Sequence, residues 1–412
     1  MVSTRAHRLD RGCDGNGGCS ARTPRSRRAP PAGSYRGARA SLCLVSAIVV
    51  CATFALLSVS YPDTASAWSE QPAPTPPGFF SEADSGQLTD VSCTSGNACS
   101  AVGDADGTGP LLERWDGTVW SLQSVATVDG GFAGLGSISC ASTRFCFAVG
   151  SVLEGDSDAA VFERWDGSAW SFQGSGSGFP GGELGAVSCS SRVACMVAGH
   201  DNLDGSPEVG RWDGRAWSGQ TIGFDVNGLS CVSRRVCAFV GRDFSATGRV
   251  VACAFAGFWT HGRWSRSLVL RCPPPGGVPE LSAVSCSSAS ACTAIGSAVY
   301  GWNGQRWTLE PNALGRGESV SAVSCVSRTA CVAVGARRTG HTTRALVKRW
   351  NGSRWSTVSV SKLAGSQLNG VSCTSAKICR AVGSYTYYTN GYTATGTPTK
   401  YGHSAPLVES NG

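Results

Sequence analysis

One unit recurs seven times between residue 87 and the end of the chain, and it limits the possible folds more than any other feature. Its first half reads Val-Ser-Cys-x5-Cys-x-Ala-Val-Gly. The cysteine pairs are Cys93/Cys99, Cys140/Cys146, Cys189/Cys195, Cys231/Cys237, Cys286/Cys292, Cys325/Cys331 and Cys373/Cys379. Its second half is Trp-x4-Trp, usually with Asp-Gly or Asn-Gly after the first Trp: Trp115/Trp120, Trp165/Trp170, Trp212/Trp217, Trp259/Trp264, Trp302/Trp307 and Trp350/Trp355. Successive first cysteines stand 47, 49, 42, 55, 39 and 48 residues apart. That is the spacing of a four-stranded propeller blade.

Each unit reads as four short strands. In the first, these are Leu88–Thr94, Ala98–Asp104, Pro110–Trp115 and Thr118–Ser124. With Ser95-Gly96-Asn97 as the turn, Cys93 faces Cys99 across an antiparallel hairpin, within disulfide reach. Asp116-Gly117 turns the third strand into the fourth. A two-residue turn pairs Trp115 with Thr118, and a four-residue loop pairs Trp115 with Trp120; both put the two indoles on one face. Zinc ligation is the rival use of the cysteines, and C-x5-C without clustered His or C-x-x-C partners speaks against it.

The two ends of the repeat region complete each other. Pro406-Leu-Val-Glu-Ser-Asn-Gly412 matches Pro110-Leu-Leu-Glu-Arg-Trp-Asp-Gly117 and is a third strand lacking its fourth. Trp68-Ser-Glu-Gln71 matches the fourth strands beginning at Trp120 and Trp170. The expected fold is therefore all-β: a seven-bladed β-propeller of four-stranded blades over residues 68–412, closed by the N-terminal strand, with one hairpin disulfide per blade. An open repeat stack would instead leave ends needing caps. Composition agrees, since 54 Gly and only 15% charged residues suit a turn-rich β protein.

Residues 1–67 read differently. They hold nine Arg and three acids, a net of +6, which leaves 26 basic and 25 acidic side chains beyond them. The whole-chain charge of +7 is thus no nucleic-acid footprint on the folded part. The basic stretch ends at Arg39, the apolar run Ser41–Ser60 follows, and Ala65-Ser-Ala67 offers an A-x-A cleavage site. The expectation is a signal peptide, a mature chain starting at Trp68 and a secreted or cell-surface location. Uncleaved, residues 41–60 would make a membrane anchor. A monomer is expected.

The Val-Ser-Cys, Cys-x-Ala-Val-Gly and Trp-Asp/Asn-Gly-x-x-Trp pattern resembles that of secreted propeller-like repeat proteins of actinobacteria, over essentially the whole of residues 68–412. That group implies the propeller fold and no established activity, so no catalytic residue is carried over.

Function is expected in the variable connections between second and third strands and between blades. The last such connection, Ser384–Ala405, holds Tyr385, Tyr387, Tyr388, Tyr392 and Tyr401, five of the eight Tyr in the chain, among Gly and Thr. Stiff amphipathic rings beside small polar residues suit a protein, glycan or cell-wall polymer ligand. No cofactor is called for. The acidic loops around Asp104/Asp106, Glu154/Asp156/Asp158 and Asp201/Asp204 have the oxygen ligands Ca²⁺ takes, but none completes a recognised pattern. Cys253 and Cys272, outside the repeat, flank the fourth hairpin of Trp residues and are expected to form an eighth disulfide. His200, His261, His341 and His403 belong to no nucleophile or metalloprotease motif. Glu183, Asp225, Glu280 and Glu318 occupy connections between blades, where a glycosidase pair could sit. The leading reading is an exported, non-catalytic binding platform. A carbohydrate-active hydrolase or lyase using loop carboxylates and a membrane-anchored extracellular scaffold are the alternatives.

Overall fold

A computed structural model describes residues 68–74, 85–105, 109–125, 133–154, 157–173, 182–201, 205–243, 253–270, 281–360, 362–392 and 398–411. The leader, residues 1–67, with its basic stretch, apolar run and cleavage site, lies outside these. The described residues form seven four-stranded antiparallel sheets, with no helix among them. Blade 1 comprises Gly86–Ser95, Ala98–Ala105, Gly109–Trp115 and Trp120–Leu122. Blades 2 to 6 repeat that order. In blade 7, Gln367–Ser375, Ile378–Tyr392 and Pro398–Asn411 are joined by Ser69–Gln71 as the fourth strand. The pairs are Ser69 with Ser410, Glu70 with Glu409 and Gln71 with Val408. The first strands touch in order around the ring, and the seventh touches the first.

Two irregularities in every first strand explain the repeat. The register slips once at Leu88/Asp90 and once at Cys93/Ser95, and at the matching places in all seven blades. These are β-bulges. The second makes Thr94 the extra residue, so Ser95 pairs Ala98 around a two-residue turn, one residue tighter than expected. Cys93 still faces Cys99. The first bulge drives the strand backbone against the Gly of Ala-Val-Gly. A Cβ on Gly103 would lie 1.9 Å from the Gln87 carbonyl oxygen, and at Gly241 the gap would be 1.8 Å. No side chain fits there.

Seven hairpin disulfides are present, one per blade: Cys93–Cys99, Cys140–Cys146, Cys189–Cys195, Cys231–Cys237, Cys286–Cys292, Cys325–Cys331 and Cys373–Cys379. Their Cα atoms lie 3.9–4.0 Å apart. Such a bond set belongs to an oxidising compartment. These are the seven pairings expected from the spacing. The second cysteine of each pair is also a core residue. Cys146 is buried with Leu135, Ile138 and Trp165, and Cys195 is buried with Phe147, Val197 and Trp212. The reason is the alternation of the second strand, which turns the residue after the hairpin toward the joint between blades. Cys253 is also disulfide-bonded, and its expected partner Cys272 lies outside the described residues. Each hairpin bond closes a short loop. Replacing Cys231 and Cys237 together by Ala is expected to cost at most about 2–3 kcal/mol. Urea titration checks this: the midpoint should fall with an unchanged slope, and a loss well beyond that range would mean the bond does more than bridge its hairpin.

The loop after the first Trp has four residues, which decides the register left open by the sequence. Trp115 pairs directly with Trp120, and the pattern repeats in the next five blades. Asp116 holds the loop by accepting hydrogen bonds from the amides of Thr118 and Val119 at 2.8 and 3.0 Å. Gly117 adopts the left-handed conformation, φ 105°. The paired rings lie 5.5–5.7 Å apart in the five pairs Trp115/Trp120, Trp165/Trp170, Trp212/Trp217, Trp302/Trp307 and Trp350/Trp355. The first indole of each of these pairs also donates, at 3.1 Å, to a carbonyl in its own disulfide hairpin turn: Gly96, Thr143, Arg192, Ala289 and Arg328. Disulfide turns and Trp turns therefore share one face of the ring.

Blades are joined by the serine of Val-Ser-Cys. Its hydroxyl accepts from the amide of the first cysteine in the following blade, at 2.9–3.0 Å, at all seven joints. The bond from the Cys93 amide to Ser372 completes the circle. Asn227 and Asn369 add side-chain bonds to the Leu281 and Leu88 carbonyls of the next blade.

Candidate functional site

The sequence points to the last connection between second and third strands, and the structure changes its form. Ser384–Ala405 is not a loop. The two strands of blade 7 run on as a hairpin arm, paired from Cys379/Asn411 out to Tyr392/Pro398. Residues 393–397 at its tip lie outside the described residues. Alternation along the strand puts Tyr385 and Tyr387 on one face and Tyr388 on the other. Tyr385 is half-buried and packs, as do Leu363 and Val360 of the connection from blade 6, against the core shared by blades 6 and 7; burial pushes its hydroxyl pKa up, with Glu70 and Tyr387 adding to the effect. Tyr387 lies 6.3 Å from Tyr385 and stacks on buried His403 at 5.1 Å. The Nε2 of His403 is 2.7 Å from the Thr389 hydroxyl. Tyr388 is 69% exposed, the most exposed large apolar or aromatic residue described. Tyr392 and Tyr401 lie in the strands, and their side chains are outside the described set. The arm is rooted to its neighbour, since the Thr386 amide donates to the Gly365 carbonyl and the Gly365 amide to that of Thr343.

Glu183, Asp225 and Glu318, expected in connections between blades, instead lie at the starts of first strands, and they separate into two places. Asp225 is buried between blades 3 and 4, 3.2 Å from His200 and 3.7 Å from Arg242. Glu183 stands opposite His200 in the sheet register. The hydrogen bond to Asp225 and the charges of Asp225 and Glu183 raise the His200 pKa. Glu318, in blade 6, accepts from Lys348 at 2.6 Å, from the Gly315 amide at 2.7 Å and from Arg337. Burial pushes its pKa up, but those partners outweigh burial and hold it at about 2. Glu318 is therefore a fixed, neutralised anion. Glu280 lies outside the described residues. His261 and His341 are exposed and sit in turns.

Calcium ligation falls mostly on residues that are not described: Asp106, Asp156, Asp204 and the side chains of Glu154, Asp158 and Asp201. Asp104 accepts a hydrogen bond from Gln87 at 3.2 Å. Among the described residues no three His, Cys, Asp or Glu side chains gather as a metal site.

First strands of all seven blades line a central cavity of about 300 Å³. Its walls are mostly Gly, Ala, Ser, Val and Asn, and one carboxylate, Asp90, belongs to them. Asp90 accepts from the Ser137 hydroxyl at 3.0 Å and from the amides of Ile138 and Val91 at 2.9 and 2.8 Å. Burial lifts its pKa to about 6, against the pull of those bonds. The acid ties blade 1 to blade 2.

No protein-family model matches this chain. No curated protein matches it either. Solved propellers do. YCF48 bound to a D1 peptide superposes with a TM-score of 0.54 at 15% identity, over 84% of this chain and 97% of that one. YCF48 from Cyanidioschyzon merolae gives 0.51 at 15% identity, over 84% and 99%. The likeness is one of fold. Among the described residues no helix is long and apolar enough to cross a membrane.

Proposed function

We propose that this chain is exported and serves as a non-catalytic binding platform outside the cell, taking a protein or glycan ligand on the hairpin arm of blade 7. The observation that carries this reading is Tyr388, an exposed ring on an arm whose root is fixed by Tyr385, His403 and the bonds to Gly365. A rigid root with an exposed aromatic limits the entropy lost on binding. Seven disulfides on one ring support an extracellular setting. The resemblance to secreted actinobacterial repeat proteins agrees with export, as does a clasp strand that begins just after the expected cleavage site. That YCF48 has been solved with a D1 peptide bound shows that one propeller of this fold takes a peptide.

A hydrolase or lyase is the second reading, because Asp225 and Glu183 both bear on His200. It is the weaker of the two. Glu318 is held as a neutralised anion, and a salt-bridged Asp225 is tied to Arg242 as well as to His200.

Replacing residues 387–402 by a two-residue turn tests the platform. The shortened protein is expected to melt close to the intact one and to lose retention on cell-wall polysaccharide or on a glycan and protein array, with no turnover by either form. Undiminished retention after deletion would overturn the reading.

A further inference from the structure

Among the described residues, one indole in the ring is left without the cover that its counterparts have. In blades 1 to 6 the first Trp of the pair faces the blade before it. There, one cross-strand pair of the second and third strands supplies the covering side chain. Over Trp165 this is the guanidinium of Arg114, 4.3 Å from the ring centre, and over Trp259 it is Arg211, also at 4.3 Å. Trp212 is covered by Phe147 at 5.3 Å and Trp302 by Phe258 at 4.9 Å. In blade 7 the third-strand position is Ser410, and its cross-strand partner Arg380 reaches Trp115 instead, at 4.5 Å. At the joint between blades 5 and 6 the same pair is Gly301 and Thr293. Neither extends over Trp350. A cleft of about 240 Å³ opens there, lined by Trp350, Gly301, Thr293, Thr308, Glu310 and Arg328 among others. Trp115, Trp165, Trp212 and Trp259 are buried, whereas Trp350 is half-buried, as is Trp302, which also lines the cleft.

The covered joints show what chemistry the open one fits. Arg380 and Arg114 lie on an indole and donate to a turn carbonyl, Gly96 at 3.0 Å and Thr143 at 3.5 Å. Those two carbonyls also take the indole N–H of Trp115 and Trp165. At the open joint the Arg328 carbonyl takes the Trp350 N–H in the same way. Among the described residues one cation lines the cleft, the Arg328 guanidinium, and it is drawn across to the Ser290 carbonyl at 2.8 Å. The cleft also holds a carboxylate. Glu310 sits over Gly301, where a Cβ would come within 2.5 Å of its Oε1, and it accepts from the Trp355 indole. Burial raises its pKa, against the pull of the Trp355 bond.

We propose that the cleft between blades 5 and 6 receives an arginine side chain of a partner protein, the guanidinium lying on Trp350, donating to the Arg328 carbonyl and pairing with Glu310. The planar fork of arginine suits this arrangement, and a lysine ammonium does not. The site is on the face of the disulfide and Trp turns, and it stands or falls separately from the hairpin arm.

The probe is acetyl-Gly-Arg-Gly-amide, with citrulline and lysine counterparts and methyl hexosides as comparators. The readout is the indole N–H resonance of Trp350 in the full folded protein, assigned by its loss in Trp350→Phe. The arginine peptide is expected to shift that resonance saturably, with the citrulline and lysine peptides at least tenfold weaker. Glu310→Gln should weaken the arginine peptide at least tenfold. Gly301→Arg installs the residue type seen at other joints; it should abolish binding while melting no lower than wild type. No shift with the arginine peptide, an equal response to citrulline, or a shift with a hexoside alone would overturn the proposal, the last making the cleft a sugar subsite. Should Gly301→Arg fail to fold, the comparison of Glu310→Gln with wild type decides.

Discussion

Replacing Trp68 with Ala lowers the stability of the folded chain by about 3–5 kcal/mol, the usual cost of emptying a buried Trp site. Trp68 is 5% exposed and packs with Val332 and Val347 of blade 6 and Leu368 and Leu407 of blade 7. Behind it, Ser69–Gln71 completes the seventh sheet, and the Gln71 side chain accepts the Trp120 indole N–H at 3.2 Å, tying the clasp to blade 1. Removing residues 68–71 altogether has a second consequence. Pro398–Asn411 becomes a bare sheet edge, a template for pairing with another chain. The truncated protein should therefore dimerise or aggregate as well as unfold at lower urea. Glu70→Ala, at an exposed position of the same strand, is the control and should change little. Urea unfolding followed by tryptophan fluorescence, with light scattering for association, gives both readouts. A Trp68→Ala protein as stable as the parent would show that the N-terminal segment is not the clasp.

The second large effect concerns pH. Glu113 and Glu163 occupy the same third-strand position, two residues before the first Trp, in blades 1 and 2. Glu113 alternates with Leu111 and Trp115, which pack against Val382 and Val408 of blade 7, so its carboxyl enters that joint. Both acids are fully buried, and among the described residues nothing hydrogen-bonds either oxygen of either one. Burial alone raises their pKa values, to about 8 for Glu113 and about 7 for Glu163. Between the unfolded value of 4.5 and these folded values, the native state holds more protons than the unfolded chain. Stability is therefore greatest below about pH 4.5, as far as these groups decide it, and falls as pH rises toward 8. Glu113→Gln cannot ionise. It should match wild type at pH 5 and exceed it at pH 8 by on the order of 2–4 kcal/mol, since each tenfold change in acidity corresponds to about 1.4 kcal/mol before structural relaxation. Melting both proteins across pH 5 to 8 tests the sign. A constant gap would mean that the buried carboxyls are not protonated in the native state.

What could be read beforehand and what could not follows from where each feature is encoded. The disulfides and the paired indoles lie within one unit, repeat at fixed spacing, and need only antiparallel pairing to be inferred. That Cys146 and Cys195 also fill the core could not be inferred, because the side chains around them come from neighbouring strands and blades. The clasp was visible because Trp68-Ser-Glu-Gln71 copies a fourth strand that the last unit lacks. The choice between a two-residue turn and a four-residue loop after Trp115 depended on Asp116 capping two amides, which the Asp-Gly pair alone does not dictate. The bulges were invisible except as an unexplained Gly in Ala-Val-Gly. The covers over the indoles were also hidden, since Arg380 replaces the function of an arginine missing at Ser410 on another strand, for a Trp in another blade. Such exchanges appear only when neighbouring blades are placed side by side. Of the tyrosines, the sequence suggested a loop where the structure has a continued hairpin. Alternation along a continued hairpin commits Tyr385 and Tyr387 to packing and leaves Tyr388 outside.

The serine of each blade accepting the cysteine amide of the next has a further meaning for how such a protein changes over time. Every joint uses the same two groups, offered in the same rotational sense, and the joint between blade 7 and blade 1 is no exception. As far as this bond goes, a unit carries its own plug and socket whatever its rank in the circle. Copies can be traded or rewritten one at a time, and the wheel still closes around its axle.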